Sequence, residues 1–121
     1  MKICITAQGD NLEAEVDPRF GRCQYFVFYD TESLRSEFLI NQNKDGMGGV
    51  GIQSGQLIAD KGAQVLLTGN VGPNAYMTLQ AGKIEIITNV SGKVINVIDQ
   101  YKRGALKPTD GPSVDSHFGA K

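Results

Sequence analysis

Two arginines flank a glycine in Val16-Asp17-Pro18-Arg19-Phe20-Gly21-Arg22-Cys23-Gln24-Tyr25-Phe26. A guanidinium presents a planar fork of N–H donors, which suits carboxylates, phosphates and other polyatomic anions. Arg19 and Arg22 around Gly21, just ahead of an apolar run, therefore predict an anion site; a surface salt bridge is the plainer reading for either arginine. Cys23 places a thiol beside Arg22. A neighbouring cation lowers a thiol pKa and favours the thiolate that soft metals prefer, while a small buried side chain is the structural alternative.

Two glycine-rich turns offer a second kind of anion contact. Gly46-Met47-Gly48-Gly49-Val50-Gly51 opens a helix-like segment, and Gly69-Asn70-Val71-Gly72-Pro73-Asn74 precedes another. Backbone N–H groups at a helix start attract negative charge. Gly48, Gly49, Asn70 and Gly72 are accordingly candidate binding residues, with empty turns as the alternative, and Met47 beside Gly48-Gly49 offers a soft thioether contact, with plain packing as its alternative. The first turn satisfies GxGxxG but is not a dinucleotide fingerprint. No strand directly precedes it, and no acidic residue lies between Asp60 and Glu85. No GxxxxGK[ST] motif is present, so an ATPase is not indicated.

Catalytic sets are missing from the pattern. His117, the only histidine, lies four residues from the end, too far into a tail to act as an oriented triad base. Residues 2–7 carry no carboxylate to hold a nuclease magnesium ion. Asp10, Asp17 and Asp30 are scattered and read as turn formers. Cys4 and Cys23 form no CxxC pair, and Cys4 between Ile3 and Ile5 reads as a buried hydrophobe.

The elements that must position these residues follow from periodicity. Residues 2–7 and 25–29 are short apolar runs, and residues 34–40 form another after the turn 30–33. The short connection predicts an antiparallel hairpin. A helix is expected from Val50 to Lys61, a buried strand over 63–68, and a helix over 73–80 with Pro73 as its first residue. A strand over 84–88 follows. Val94, Val97, Ile98 and Tyr101 then give a helical stripe that ends at Gly104. Strands alternating with helices demand parallel neighbours. The expected fold is a three-layer α/β/α sandwich with a five-stranded mixed sheet, one strand running antiparallel. Ligands in such sheets bind beyond the carboxyl ends of the parallel strands, which here lead into segments 8–22, 69–73 and 89–92.

With 121 residues, 40% hydrophobic, the chain is one compact domain. Twelve basic residues against thirteen acidic ones give a net charge of −1, which argues against bulk nucleic-acid binding. No window is long and apolar enough for a membrane span, and a cytoplasmic protein is expected.

Taken in order, Val16 to Phe26, the 47–51 loop, Gly69-Asn70-Val71-Gly72-Pro73-Asn74-Ala75 and the closing Tyr101-Lys102-Arg103-Gly104-Ala105-Leu106 resemble the dinitrogenase iron–molybdenum cofactor-binding family. The resemblance spans about residues 1–106, leaving 107–121 as an expected flexible tail. It implies a ribonuclease-H-like topology and a cytoplasmic carrier that is not an enzyme. The expected cargo is an anionic metal–sulfur cluster of Fe–Mo–S, Mo–Cu–S or Fe–S type. The implied partners are cluster donor and acceptor proteins, with the chain a monomer or weak homodimer. Many members have His where Arg19 stands and Ala where Cys23 stands, so Cys23 and the tail's His117 become the candidate metal ligands. The tail segment Val114-Asp115-Ser116-His117-Phe118-Gly119 matches residues 16–21 at four of six positions. A small phosphate- or nucleotide-binding regulatory module is the alternative function.

Overall fold

Ile3, Cys4 and Ile5 alternate across the first strand, and each is fully buried because both faces of the sheet are covered. In the computed structural model, which describes residues 1–109 and 111–112, the order is β1 (Lys2–Ala7), β2 (Tyr25–Asp30), β3 (Ser36–Ile40), α1 (Val50–Asp60), β4 (Val65–Leu67), α2 (Pro73–Ala81), β5 (Glu85–Ile87) and α3 (Val94–Lys102). The five strands form one sheet in the order β3-β2-β1-β4-β5. β1 pairs antiparallel with β2, with Lys2 opposite Asp30 and Ala7 opposite Tyr25. β2 pairs antiparallel with β3, while β1–β4 and β4–β5 are parallel. The sheet is thus mixed, with β2 the one reversed strand, as the short turn after Tyr29 required.

The two-residue period sorts side chains into two cores. Cys4, Phe26, Phe28, Leu66 and Ile86 face Ile58 of α1 and Ala75, Tyr76 and Leu79 of α2. Ile3, Ile5, Val27, Tyr29, Val65, Leu67 and Ile87 face Val94, Val97 and Ile98 of α3. Helices therefore lie on both faces. α1 and α2 pack closely because α1 presents glycine: a Cβ on Gly51 would stand 2.9 Å from Ala75 Cβ, and one on Gly55 would stand 2.9 Å from Thr78 Cγ2.

Boundaries differ where local geometry overrides an apolar run. β3 starts at Ser36 rather than at residue 34, because Leu34 is left-handed (φ 63) and closes the turn through its N–H to the Asp30 carbonyl at 2.8 Å. Asp30 also accepts the Glu32 and Ser33 N–H groups on Oδ1. At the other edge of the sheet, Thr109 donates its N–H to the Ile86 carbonyl at 2.7 Å. Its Oγ1 accepts the Thr88 N–H at 2.9 Å, so the chain is tied to the β5 edge as far as residue 109.

Candidate anion-binding site

The carboxyl ends of β1 and β4 are joined by a buried contact between Thr6 Oγ1 and Thr68 Oγ1 at 2.7 Å. Thr6 Oγ1 also lies 2.7 Å from the Asp17 carbonyl, and the Asp17 N–H donates to the Thr6 carbonyl at 2.9 Å. Asp17 itself is buried. Its Oδ1 accepts the Arg19 N–H and its Oδ2 the Gln24 N–H, each at 3.1 Å. The turn 17–24 is thus wound around one carboxylate. Sequence reasoning read this residue as a turn former, and its burial is the added fact.

That turn reaches the other two predicted segments. The Phe20 N–H donates to the Asn70 carbonyl at 3.2 Å, and Asn70 Nδ2 donates to the Pro18 carbonyl at 3.3 Å. Phe20 inserts into the core, edge-on to Phe26 with ring centroids 6.2 Å apart. Gly21 is left-handed (φ 94), and a Cβ there would stand 3.2 Å from the Gly51 backbone in the first turn of α1. Arg22 Nη1 donates to the Lys44 carbonyl at 2.9 Å. Segments 18–22, 44–51 and 69–70 therefore meet at one end of the sheet.

Two helices begin there. The N-cap residues are Gly49 for α1 and Gly72 for α2, and neither helix start has a side-chain cap. Gly51 and Ala75, in the first turns, are the residues that touch, so the two positive dipole ends lie side by side. Gly48 and Gly49 border open space, with nothing within 4 Å of where a Cβ would stand. Such a cradle can accept a bulky anion against backbone N–H groups.

Arg19 carries the charge. Its side chain is 39% exposed, and its Nε lies 3.7 Å from Asp17 Oδ1, a spacing that balances part of its charge without covering the fork. It lines an open cleft of about 450 Å³ with Gln8, Asp17, Pro18 and Gln24. Helix ends contribute roughly 0.3–1 kcal/mol each toward an anion, whereas hydrogen bonds to charged groups contribute roughly 1.5–3, so the arginines dominate. Arg22 commits one nitrogen, Nη1, to the Lys44 carbonyl.

The soft-ligand candidates separate. Met47 is fully exposed. Cys23 is buried in the α1/α2 core. Desolvation first, and then the Asp17 charge, push its thiol well above the usual range despite the Asn41 amide and Arg19. Cys4 is raised by burial in the same way. His117 lies outside the described residues. Among the described residues no group of three or more His, Cys, Asp or Glu side chains converges to hold a metal ion.

Sequence reasoning missed Asn41 and the Thr6–Thr68 pair. Each is a single polar residue at the end of an apolar strand, and local pattern carries no signal of which such residues become buried.

Comparison with known proteins adds to this geometry. The family model described as dinitrogenase iron–molybdenum cofactor matches residues 1–104. The structure of the apo form of the orange protein from Desulfovibrio gigas superposes with a TM-score of 0.91 at 36% identity, covering 93% of this chain and 96% of that one. A Thermotoga protein proposed as a NifB protein superposes with a TM-score of 0.80 at 33% identity, covering 93% and 98%. An uncharacterized protein of Methanocaldococcus jannaschii is 29% identical over 110 residues, 88% of this chain and 90% of that protein.

Proposed function

The chain belongs to the dinitrogenase iron–molybdenum cofactor family, and from that premise we propose that it binds and carries an anionic metal–sulfur cluster noncovalently. The observation that supports this most is the meeting of two uncapped helix starts with the Arg19–Gly21–Arg22 turn and the open Gly48-Gly49 backbone. A metal–sulfide cluster is a polyanion with soft sulfur edges. N–H donors and guanidinium groups suit its charge, and the exposed thioether of Met47 suits its edge.

Arg19, Gly21, Arg22, Met47, Gly48, Gly49, Asn70 and Gly72 form the proposed cradle. The cargo is of Fe–Mo–S, Mo–Cu–S or Fe–S type, and the protein acts as a carrier between cluster donor and acceptor proteins rather than as a catalyst. His117 remains the proposed metal ligand of the tail. Cys23 is a ligand only in a state where the 17–24 turn opens, because burial holds its thiol protonated.

Anaerobic reconstitution with iron, sulfide and tetrathiomolybdate, followed by gel filtration, metal analysis and a visible spectrum, tests the reading. Colour and metal should travel with the protein. A colourless, metal-free protein whose melting temperature rises with phosphate or a nucleotide would instead make it a phosphate-binding regulatory module.

A further inference from the structure

We infer that Asn41 is a positioning residue for this site, coupling the arginine turn to the glycine-rich loop through one buried side chain. The inference rests on the proposed cluster-binding reading and adds a residue to it. Asn41 directly follows edge strand β3 and is 2% exposed. Its Nδ2 group donates to the Gly21 carbonyl at 2.9 Å and to the Cys23 carbonyl at 3.0 Å. Its Oδ1 accepts the Asn43 N–H at 3.1 Å, and its own N–H donates to the Gln24 carbonyl at 3.0 Å. One residue therefore fixes the back of the turn that carries Arg19 and Arg22, and also starts the loop that leads to Gly48 and Gly49.

The neighbouring contacts make the coupling directional. Gly21 rests on Gly51, and Arg22 reaches the Lys44 carbonyl. Both contacts require the two segments to keep one separation, which the Asn41 amide sets. A buried carbonyl left without its donor is costly, so the turn and the loop must shift if the amide is lost. The arginine forks and the helix N–H groups would then face the anion from different distances. Asn41 touches no ligand; it acts through Gly21, Arg22 and the 43–49 loop.

The test uses tetrathiomolybdate, a coloured, sulfur-edged dianion, titrated well below the melting temperature. Asn41→Asp keeps the shape but sets carboxylate oxygens against the two carbonyls. Ile98→Val, in the core on the opposite face of the sheet, serves as a control for general destabilisation. The expected result is affinity at least tenfold weaker in Asn41→Asp and unchanged in Ile98→Val. In the parent, the Asn41 side-chain amide signals should move on titration together with the backbone amides of Gly21 and residues 46–49. Parent-like affinity in Asn41→Asp overturns the inference. If that variant does not fold, Asn41 signals that stay still while those of Gly21 move overturn it equally. If the parent takes up no tetrathiomolybdate, the cluster-carrying reading fails, and amide hydrogen exchange then decides on Asn41. Exchange that quickens together at residues 21–24 and 43–49 in Asn41→Asp, but not in Ile98→Val, upholds the coupling; unchanged exchange overturns it.

Discussion

Gly69 lies flat against Pro18: a Cβ on Gly69 would stand 2.5 Å from Pro18 Cα and 2.7 Å from the Pro18 carbonyl oxygen. Both neighbours are backbone, which cannot swing aside. The absence of a side chain at the end of β4 is what lets the arginine turn sit on the β4–α2 connection. Gly69→Ala should destabilise the protein by roughly 1–3 kcal/mol, as overpacking does, measured as a lower urea midpoint. It should also lengthen the Phe20 to Asn70 hydrogen bond and weaken tetrathiomolybdate binding. A parent-like urea midpoint together with parent-like tetrathiomolybdate affinity would show that the turn moves freely.

Replacing Arg19 and Arg22 together by Ala should lower tetrathiomolybdate affinity well over tenfold. Charge-assisted hydrogen bonds contribute roughly 1.5–3 kcal/mol each, and about 1.4 kcal/mol is tenfold in affinity. The parent's binding should weaken with added salt, and the double variant's salt dependence should be shallower. Unaltered affinity in the double variant would move the site elsewhere.

Cys4 and Cys23 are both fully buried with raised thiol pKa values. Iodoacetamide at pH 8 should therefore leave both unmodified in the folded protein and label both in guanidinium chloride, as mass spectrometry would read. Rapid labelling of Cys23 alone under native conditions would mean that the 17–24 turn opens readily and that a thiolate is on offer to a metal.

Asp30 has its pKa lowered, first by the Glu32 N–H and then by that of Ser33. A lowered folded-state pKa stabilises the fold above the unfolded value of about 3.9, and this contribution is lost as pH falls through the folded value. Asp30→Ala should thus reduce stability at neutral pH and flatten the loss below about pH 4. Urea midpoints across that range check it; parallel curves for parent and variant would remove Asp30 from the acid response.

The C-terminal segment is testable through His117. Thr109 bonds to Ile86 and Thr88, which brings the chain to the carboxyl end of β5, the sheet end where the cradle lies. Deleting residues 112–121, or making His117→Ala, should shorten cluster retention on gel filtration. In the parent, retention should fall as pH drops through roughly 6.5, where an imidazole protonates. Equal retention in parent and both variants would take the tail out of the site.

What the sequence by itself determined was local: strand and helix identity, the hairpin, and the double-sided cover of the sheet. These rest on periods of two and 3.6 residues and on turn chemistry within a few positions, as with Tyr25 to Tyr29 and the stripe from Val94 to Tyr101. It also marked Arg19, Gly21, Arg22 and the two glycine turns as anion-friendly types. Only the tertiary structure decided which of them meet. The pairing of Arg19 with Asn70 joins residues 51 positions apart, and Gly21 rests on the backbone of Gly51 in the first turn of α1. The same distance hides the fate of single polar side chains. Arg22 beside Cys23 suggested a reactive thiol, yet once the core closes over it desolvation, followed by the Asp17 charge, outweighs the lowering that comes from Asn41 and from Arg19 rather than Arg22. Asn41 looked like the first residue of a loop, and became a buried clamp because its amide, brought in at the end of β3, donates to the Gly21 and Cys23 carbonyls about twenty positions away in the chain. Burial is a property of the assembled layers, and no window of neighbouring residues contains it.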